Sequence, residues 1–316
     1  MSFNRIAIYG HRGWVGSPVL RALAATGAPI KVIHRAGSDV SALPAGVQAA
    51  EVNMDDPESI VPALQDVDIV LSFAARDVVP KQHNIVKAIP RTGVKLFVPS
   101  DLAFRVEDDQ GLRIPANKAK HEVLEAARAA GVPTAVVLVG CFTESSLAFP
   151  ILGVDVPGNR IIFTGDSAKQ QLSLCTRPYV AQVYASIFAR TPPSQLSGRA
   201  IGISEFLATG QEIASLLRER HGGVAPQVFH HSLSKVDEQI ERDLESGKPT
   251  ALSWYCRKTW GLGNVVKNVG GDVWDVEGYR KVTLREILLE EGRLEPYKDV
   301  PPQVAQLFYN AFRPLE

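Results

Sequence analysis

Three glycines, Gly10, Gly13 and Gly16, recur at intervals of three between the apolar run Ile6-Ala7-Ile8-Tyr9 and an apolar-periodic segment that begins Ser17-Pro18-Val19-Leu20. The order is strand, tight turn, helix start. Glycine lets a backbone turn sharply and approach a ligand closely. The first turn of a helix presents unpaired N–H groups and the positive end of its dipole to an anion. Together these are the requirements of a site for the pyrophosphate of a dinucleotide. A second strand, Ala28 to Arg35, follows. In NAD-binding folds an acidic residue ends this strand and hydrogen-bonds the ribose 2′-hydroxyl; here the strand ends in His34 and Arg35. A carboxylate repels a 2′-phosphate, whereas a guanidinium binds it through forked, charge-assisted hydrogen bonds. Arg12, inside the turn, is placed to reach the same phosphate. These residues point to NADP(H) rather than NAD(H), with Gly10, Arg12, Gly13, Trp14, Val15, Gly16, His34 and Arg35 as contacts. The competing reading of Arg35 is a solvated surface arginine, with Asp39 close by.

Those residues need a sheet to hold them, and the chain supplies its pattern. Strands are expected at Val47–Val52, Val67–Phe73, Val94–Ser100 and Thr134–Val139. Helical segments separate them: one through about Leu64, one from Val79 to Arg91, and a long one from Asn117 to Ala130. The last of these follows a polar loop, Glu107 to Gly111. Strands that alternate with helices imply an α/β, Rossmann-type, doubly wound parallel sheet. Ligands in such sheets bind beyond the carboxyl ends of the strands. The expected lining is therefore Gly10–Gly16, His34–Arg35, Phe73–Arg76, Ser100–Phe104 and Gly140–Thr143. Phe73, Ala74 and Ala75 fall on the adenosine-to-nicotinamide path, and Cys141 and Phe142 at its far end.

The second half reads as a smaller, irregular α+β substrate region. Pro157-Gly158-Asn159 suits a hairpin turn, Thr176-Arg177-Pro178-Tyr179 opens a helix, and Ala200–Ile203 is a strand that returns to the sheet. A helix from Thr209, a short strand at Gln227–His230 and a charged helix from Ser234 to Glu245 follow. The expected division is a dinucleotide-binding domain over 1–153 and a substrate-binding region over 154–316.

Bulk properties exclude several classes. The 34 lysines and arginines are matched by 34 acidic residues, which leaves no electrostatic footprint for nucleic acid or an anionic membrane. No apolar run is long enough to span a bilayer. Three widely spaced cysteines, Cys141, Cys175 and Cys256, fit neither a disulfide framework nor a zinc site. His230 and His231 alternate faces on a strand and lack a third ligand at useful spacing, so no metal is expected. With a strand so near the start of the sequence, no signal peptide is expected. The expectation is a cytoplasmic monomer or homodimer with a small apolar molecule as partner.

In order along the chain, Gly10-x-x-Gly13-x-x-Gly16, Arg35, Phe97-Val98-Pro99-Ser100-Asp101, Lys120 before Gly131-Val132-Pro133, and Gly140-Cys141-Phe142 resemble the NmrA-like and isoflavone-reductase-like proteins. These form an atypical branch of the short-chain dehydrogenase/reductase superfamily. The resemblance covers about the first 150 residues well and the remainder in outline. It implies a lysine near the nicotinamide, at Lys120, as the catalytic residue. Partly out of water and beside a cationic ring, such a lysine is expected to have a lowered pKa and to exchange a proton with substrate. Ordinary short-chain enzymes carry tyrosine four residues earlier, where this chain has Ala116. Many relatives have glutamate at the position of Asp101 and asparagine at that of Gly140. The reading is an NADPH-dependent reductase of an apolar, aromatic small molecule. The alternatives are a non-catalytic NADP(H)-sensing regulator that binds a partner protein, and a non-redox enzyme on the same fold. Phe104, Phe142, Phe149, Trp254, Tyr255, Trp260 and Trp274 are the candidate pocket aromatics, Tyr179 is a further candidate from the second half, and His11 in the glycine turn has no evident role.

Overall fold

The computed structural model describes residues 2–297 and 300–315, without the side chain of Arg76. In chain order its strands are β1 (Ile6–Tyr9), β2 (Ile30–His34), β3 (Gln48–Glu51), β4 (Ile69–Ser72), β5 (Leu96–Val98), β6 (Val136–Leu138), β7 (Cys141–Phe142), β8 (Val154–Asp155), β9 (Arg160–Thr164), β10 (Gln171–Cys175), β11 (Ala200–Gly202), β12 (Phe206–Thr209) and β13 (Gln227–His231). The first five form a parallel sheet in the order β3-β2-β1-β4-β5. Phe97 in β5 carries the sheet on towards β6: its N–H donates to the Pro133 carbonyl at 2.8 Å and its carbonyl accepts from Ala135 N–H at 3.1 Å. β11 then pairs with β6 in parallel, as expected for a strand that returns from the second half.

Alternation along the strands shows why both faces must be covered. Ile6, Ile8, Ile30, Val32, Ile69, Leu71, Leu96 and Val98 pack on one face with the helices Gly16–Ala25 and Arg177–Phe188. Ala7, Ile33, Val70 and Phe97 pack on the other face with Gln82–Ala88 and Pro115–Ala129. Strands buried on both faces read as continuous apolar runs, and here they do. This is the doubly wound α/β arrangement. Its order reverses between β1 and β4, the place where such sheets open a crevice. Among the described residues, no helix is long and apolar enough to cross a membrane.

Three details differ from the sequence reading. The helix expected over 79–91 is broken into 3-10 turns at Arg76–Lys81 and Ile89–Arg91 around the Gln82–Ala88 helix. Pro80 and Pro90 are the cause, since proline supplies no N–H and crowds the preceding turn. The polar loop at 107–111 holds a short helix, Asp109–Arg113, because the Asp108 carboxylate caps it by accepting from Gly111 N–H at 2.9 Å. The long helix consequently starts at Pro115, a residue suited to a first helical turn. In the second half, β10 and β12 were not anticipated; they pair antiparallel, and β7 joins β10 in parallel to make a three-stranded sheet. The hairpin around Pro157-Gly158-Asn159 joins β8 to β9, and β13 lies beside β9.

The glycine turn is set by backbone contact. Gly10 has φ +83°, and a Cβ there would meet the Phe73 carbonyl oxygen at 2.8 Å. At Gly16 a Cβ would lie 2.1 Å from the Gly10 carbonyl oxygen. Both obstacles are main chain and cannot swing aside. Gly16→Ala is therefore expected to destabilise the fold by about 1–3 kcal/mol or more, the usual cost of overpacking, read as a lower urea midpoint. Gly13→Ala, whose Cβ would sit 3.1 Å from one carbonyl oxygen, is expected to lose much less.

Candidate functional site

A cleft of about 1150 Å³ opens over the carboxyl ends of β1, β4 and β5. One end is the glycine turn, through Gly13, Trp14 and Val15. Phe73, Ala74 and Ala75, which leave β4, form the middle with Asp77 and Val79. The other end holds Ser100, Asp101, Leu102, Lys120 and Phe142, together with Leu252, Tyr297 and Val300 from the second half. The glycine turn and Lys120, more than a hundred residues apart in sequence, thus share one cavity.

The helix start at the turn is uncapped. No side chain caps the first turn of the Gly16–Ala25 helix, and that turn carries no acid. Gly13 N–H donates to the Gly10 carbonyl at 2.9 Å and Ser17 N–H to the Gly13 carbonyl at 3.0 Å, so the loop is closed on itself. Trp14 is held from three sides. Its ring makes edge contacts with Phe142 and Tyr297, each at 5.0 Å between centroids. The Arg177 guanidinium lies 4.9 Å over it and donates to the Trp14 carbonyl at 3.1 Å. Arg177 is in turn paired with Glu295 and anchored by Glu144, whose carboxylate accepts from Arg177 N–H at 3.0 Å. Burial raises the Glu144 carboxyl above its usual range.

The other predicted contacts surround the cleft without forming its walls. Gly10 and Gly16 are packed against main chain within the turn. Arg12 and Arg35 are exposed at the ends of β1 and β2. Arg12 acts electrostatically on His11 and on Asp39, and Arg35 on Tyr9 and Lys81. Lys81, paired with Asp55 at 2.8 Å, is a third cation in this corner that the sequence reading missed. His34 is buried, with Nδ1 3.1 Å from the Arg35 carbonyl. His11 is buried too, and its Nε2 has no hydrogen-bond partner among the described residues. Burial first, then the charges of His34 and Arg12, lower its pKa and favour the neutral ring.

At the far end the Lys120 ammonium donates to the Asp101 carbonyl and lies 3.8 Å from the Asp101 carboxylate. Burial raises the Asp101 carboxyl, and the charges of Lys120 and Arg105 oppose the rise. The loop that carries Asp101 is held firmly. Ser100 N–H donates to the buried Gln82 side chain at 2.9 Å, and Leu102 adopts φ +51°, unusual for a branched side chain. Lys118 points outward towards Glu122 at 3.9 Å.

Most of the proposed pocket aromatics are elsewhere. Phe142 lines the cleft, whereas Trp254, Tyr255 and Trp260 are core residues of the second half. Phe149 packs on Phe308 and Tyr297, and Trp274 caps the outside of the sheet, donating to Ser186 at 3.1 Å. Tyr179 is fully buried and donates to Asp275 at 3.2 Å. Phe104 faces a separate pocket. From the second half the cleft receives Tyr297 and Leu252; neither carried a sequence signal, because only the packing of the second half brings them there. His231, one of the adjacent pair, hydrogen-bonds the Arg313 carbonyl through Nε2 at 2.8 Å.

The model of the NmrA-like family matches residues 2–246 of this sequence. The chain belongs to the NmrA-like family. Its sequence is 29% identical over 183 residues to a phenylcoumaran benzylic ether reductase of Ginkgo biloba, covering 52% of this chain and 59% of the relative. It is 31% identical over 192 residues to a bifunctional pinoresinol-lariciresinol reductase of Thuja plicata, covering 52% and 58%. The chain thus spans little more than half the length of the curated relatives it matches. Similarity in structure extends further. An isoflavone reductase superimposes with a TM-score of 0.72 at 21% identity, over 90% of this chain and 98% of that one. The binary complex of leucoanthocyanidin reductase with NADPH from Vitis vinifera gives 0.67 at 16% identity, over 98% and 99%. At those identities the likeness is one of fold, and it is the Rossmann-type α/β fold described above.

In this NmrA-like chain the thiols are not poised as nucleophiles. Burial pushes the Cys141 thiol well above its usual range, with Cys256 and Cys175 adding to the shift. Burial likewise pushes Cys256 up to about 12. A thiol reacts as its thiolate. In the folded protein at pH 8, Cys141 and Cys256 are expected to react with iodoacetamide far more slowly than a free thiol, with the rate still climbing above pH 9. After denaturation all three cysteines should label at the ordinary rate, as peptide mass spectrometry would show.

Proposed function

We propose that this protein is an NADP(H)-dependent reductase of an apolar, aromatic small molecule. The observation that carries the reading is that the glycine turn and the Lys120 ammonium line one largely apolar cleft, large enough for a dinucleotide and a second molecule. The reductases among its relatives and structural neighbours support it, including a neighbour solved with NADPH and another with NADP+ and pinoresinol.

The residues fit the cofactor. Gly13 lines the cleft without a side chain, and the uncapped helix start would offer its amides and dipole to a pyrophosphate. Arg12 and Arg35 would hold the 2′-phosphate, with no carboxylate at the end of β2 to repel it. Gly10 and Gly16 set the turn, and His34 braces the strand end beneath Arg35. Phe73, Ala74 and Ala75 would pack along the dinucleotide, and Cys141 and Phe142 would border the nicotinamide. When bound, NADPH supplies the hydride. The chain does the rest. Trp14, Phe142, Leu252 and Tyr297 exclude water and orient a flat substrate. Lys120, fixed by Asp101, would hold or deliver a proton at the substrate oxygen as hydride reaches an activated carbonyl, enone or benzylic carbon. Residues 1–153 would bind the dinucleotide and 154–316 would shape the substrate end.

The engagement of Lys120 by the Asp101 carbonyl also suits a non-catalytic NADP(H)-binding regulator, in which the lysine only fixes the loop. One experiment separates the two. Lys120→Ala is expected to bind NADPH like the parent while losing turnover of aryl ketones and enones, followed by cofactor absorbance. Turnover equal to the parent's removes Lys120 from the chemistry. Absence of turnover in the parent, with tight NADPH binding, favours the regulator. For cofactor choice, Arg35→Ala should weaken NADPH by roughly ten- to a hundredfold, the worth of a lost charge-assisted contact, and leave NADH unchanged by calorimetry.

A further inference from the structure

Lys120 stands where two cavities meet. Besides the cleft, a pocket of about 600 Å³ lies beside the Pro115–Ala129 helix. Among the described residues only Lys120 and Asp101 line both spaces. Helix geometry explains the first of these. At 3.6 residues per turn, Ala116 and Ala119, which face the cleft, are turned by about 40–100° to one side of Lys120. Asn117, Leu124 and Arg128, which face the pocket, are turned by about 40–80° to the other. The loop after β5 divides in the same way. Ser100 and Leu102 line the cleft, Phe104 and Arg105 line the pocket, and Asp101 stands between them.

The pocket's lining suits water. Its cations are already met: Arg128 by Glu125 at 2.5 Å, Arg199 by Asp272 at 2.7 Å and Arg105 by Glu107 at 3.7 Å. It therefore calls for no charged guest. A roomy space with several polar groups is hydrated, and the exposed side chains of Glu107 and His121 open this one to solvent.

In the function proposed above, Lys120 gives a proton to the substrate oxygen and is left as a neutral amine. Dinucleotide and substrate then cover its cleft side. Asp101 reaches it from the other side, with the carboxylate 3.8 Å from the Lys120 nitrogen. Burial raises the Asp101 carboxyl, against the charges of Lys120 and Arg105, so it holds a proton more readily than a surface acid does. Its side chain is still 27% exposed, enough to meet water.

We propose that the pocket is a proton inlet: its water protonates Asp101, and Asp101 passes the proton to Lys120 while the cleft is occupied. The transfers balance. One proton leaves Lys120 for the substrate oxygen, one leaves the Asp101 carboxyl for the Lys120 amine, and one from the pocket's water restores the carboxyl. The electron pair of the new substrate C–H bond comes with the hydride. This inlet rests on the reductase reading for its chemistry, but the access it requires is tested without turnover.

Leu124→Cys places a thiol in the wall of the pocket and not of the cleft. Burial holds the native Cys141, Cys175 and Cys256 thiols above their usual range, so they react slowly. Benzyl methanethiosulfonate then plugs the pocket, and dithiothreitol reopens it in the same protein. The first readout is acetylation of Lys120 by acetic anhydride in NADP+-saturated protein, followed by peptide mass spectrometry. Plugging should lower it severalfold, and dithiothreitol should restore it. The second readout is turnover of aryl ketones and enones. Plugging should lower kcat and enlarge its solvent isotope effect, with NADPH affinity unchanged. Asp101→Asn, which carries no exchangeable acid proton, should do the same, and Asp101→Glu should recover most of the rate. Lys120 acetylation indifferent to the plug overturns the inlet alone, as does a solvent isotope effect unchanged in both the plugged protein and Asp101→Asn. Tight NADPH binding without turnover in the parent removes the reductase reading, and the inlet falls with it.

Discussion

The contact on which the site depends is between two stretches of main chain. Gly10 passes so close to the Phe73 carbonyl, and Gly16 to the Gly10 carbonyl, that neither position has room for a Cβ. This contact locks the end of β1, the start of the first helix and the exit of β4 into one rigid corner. The cleft residues beside it are aimed by that corner: Trp14 and Val15 on one side, Ala74 and Ala75 on the other. Gly13 differs from its two neighbours in the motif. A Cβ there would meet one carbonyl oxygen at 3.1 Å, a milder obstacle than at Gly10 or Gly16.

The second constraint runs through Trp14. It touches Phe142 and Tyr297 and lies under Arg177, which Glu144 and Glu295 hold in place. The glycine turn is thereby tied to the C-terminal part of the chain at the point where both reach the cleft. Burial of Glu144 against Arg177 is the kind of ion pair that is costly to break because one charge would be left without a partner. The consequence is that the wall of the cleft made by Leu252 and Tyr297 depends on the packing of the second half, while the glycine turn is built locally from β1 and β4.

Lys120 and Asp101 line both the cleft and a second pocket beside the Pro115–Ala129 helix. The loop that presents Asp101 is held by the buried amide of Gln82 and bends through a positive φ at Leu102. Backbone in such conformations persists only where surrounding structure over-determines it.

The sheet and the glycine turn were legible in the sequence because both obey local rules. Apolar runs at strand length, helix starts after them and glycines at fixed spacing are written in neighbouring residues, and so were the basic end of β2 and the lysine helix. The breaks at Pro80 and Pro90 were also local, and were passed over. What only tertiary structure decided lies at long separation. β10 and β12 are short and find their partners through pairing, not periodicity. Leu252 and Tyr297 reach the cleft although nothing near them in sequence marks them, and Trp254, Tyr255 and Trp260, which looked like pocket residues by type, are core. An aromatic side chain serves equally well to fill a core or to line a cavity, so its type does not say which. That choice depends on how much space the remaining elements leave once they have packed.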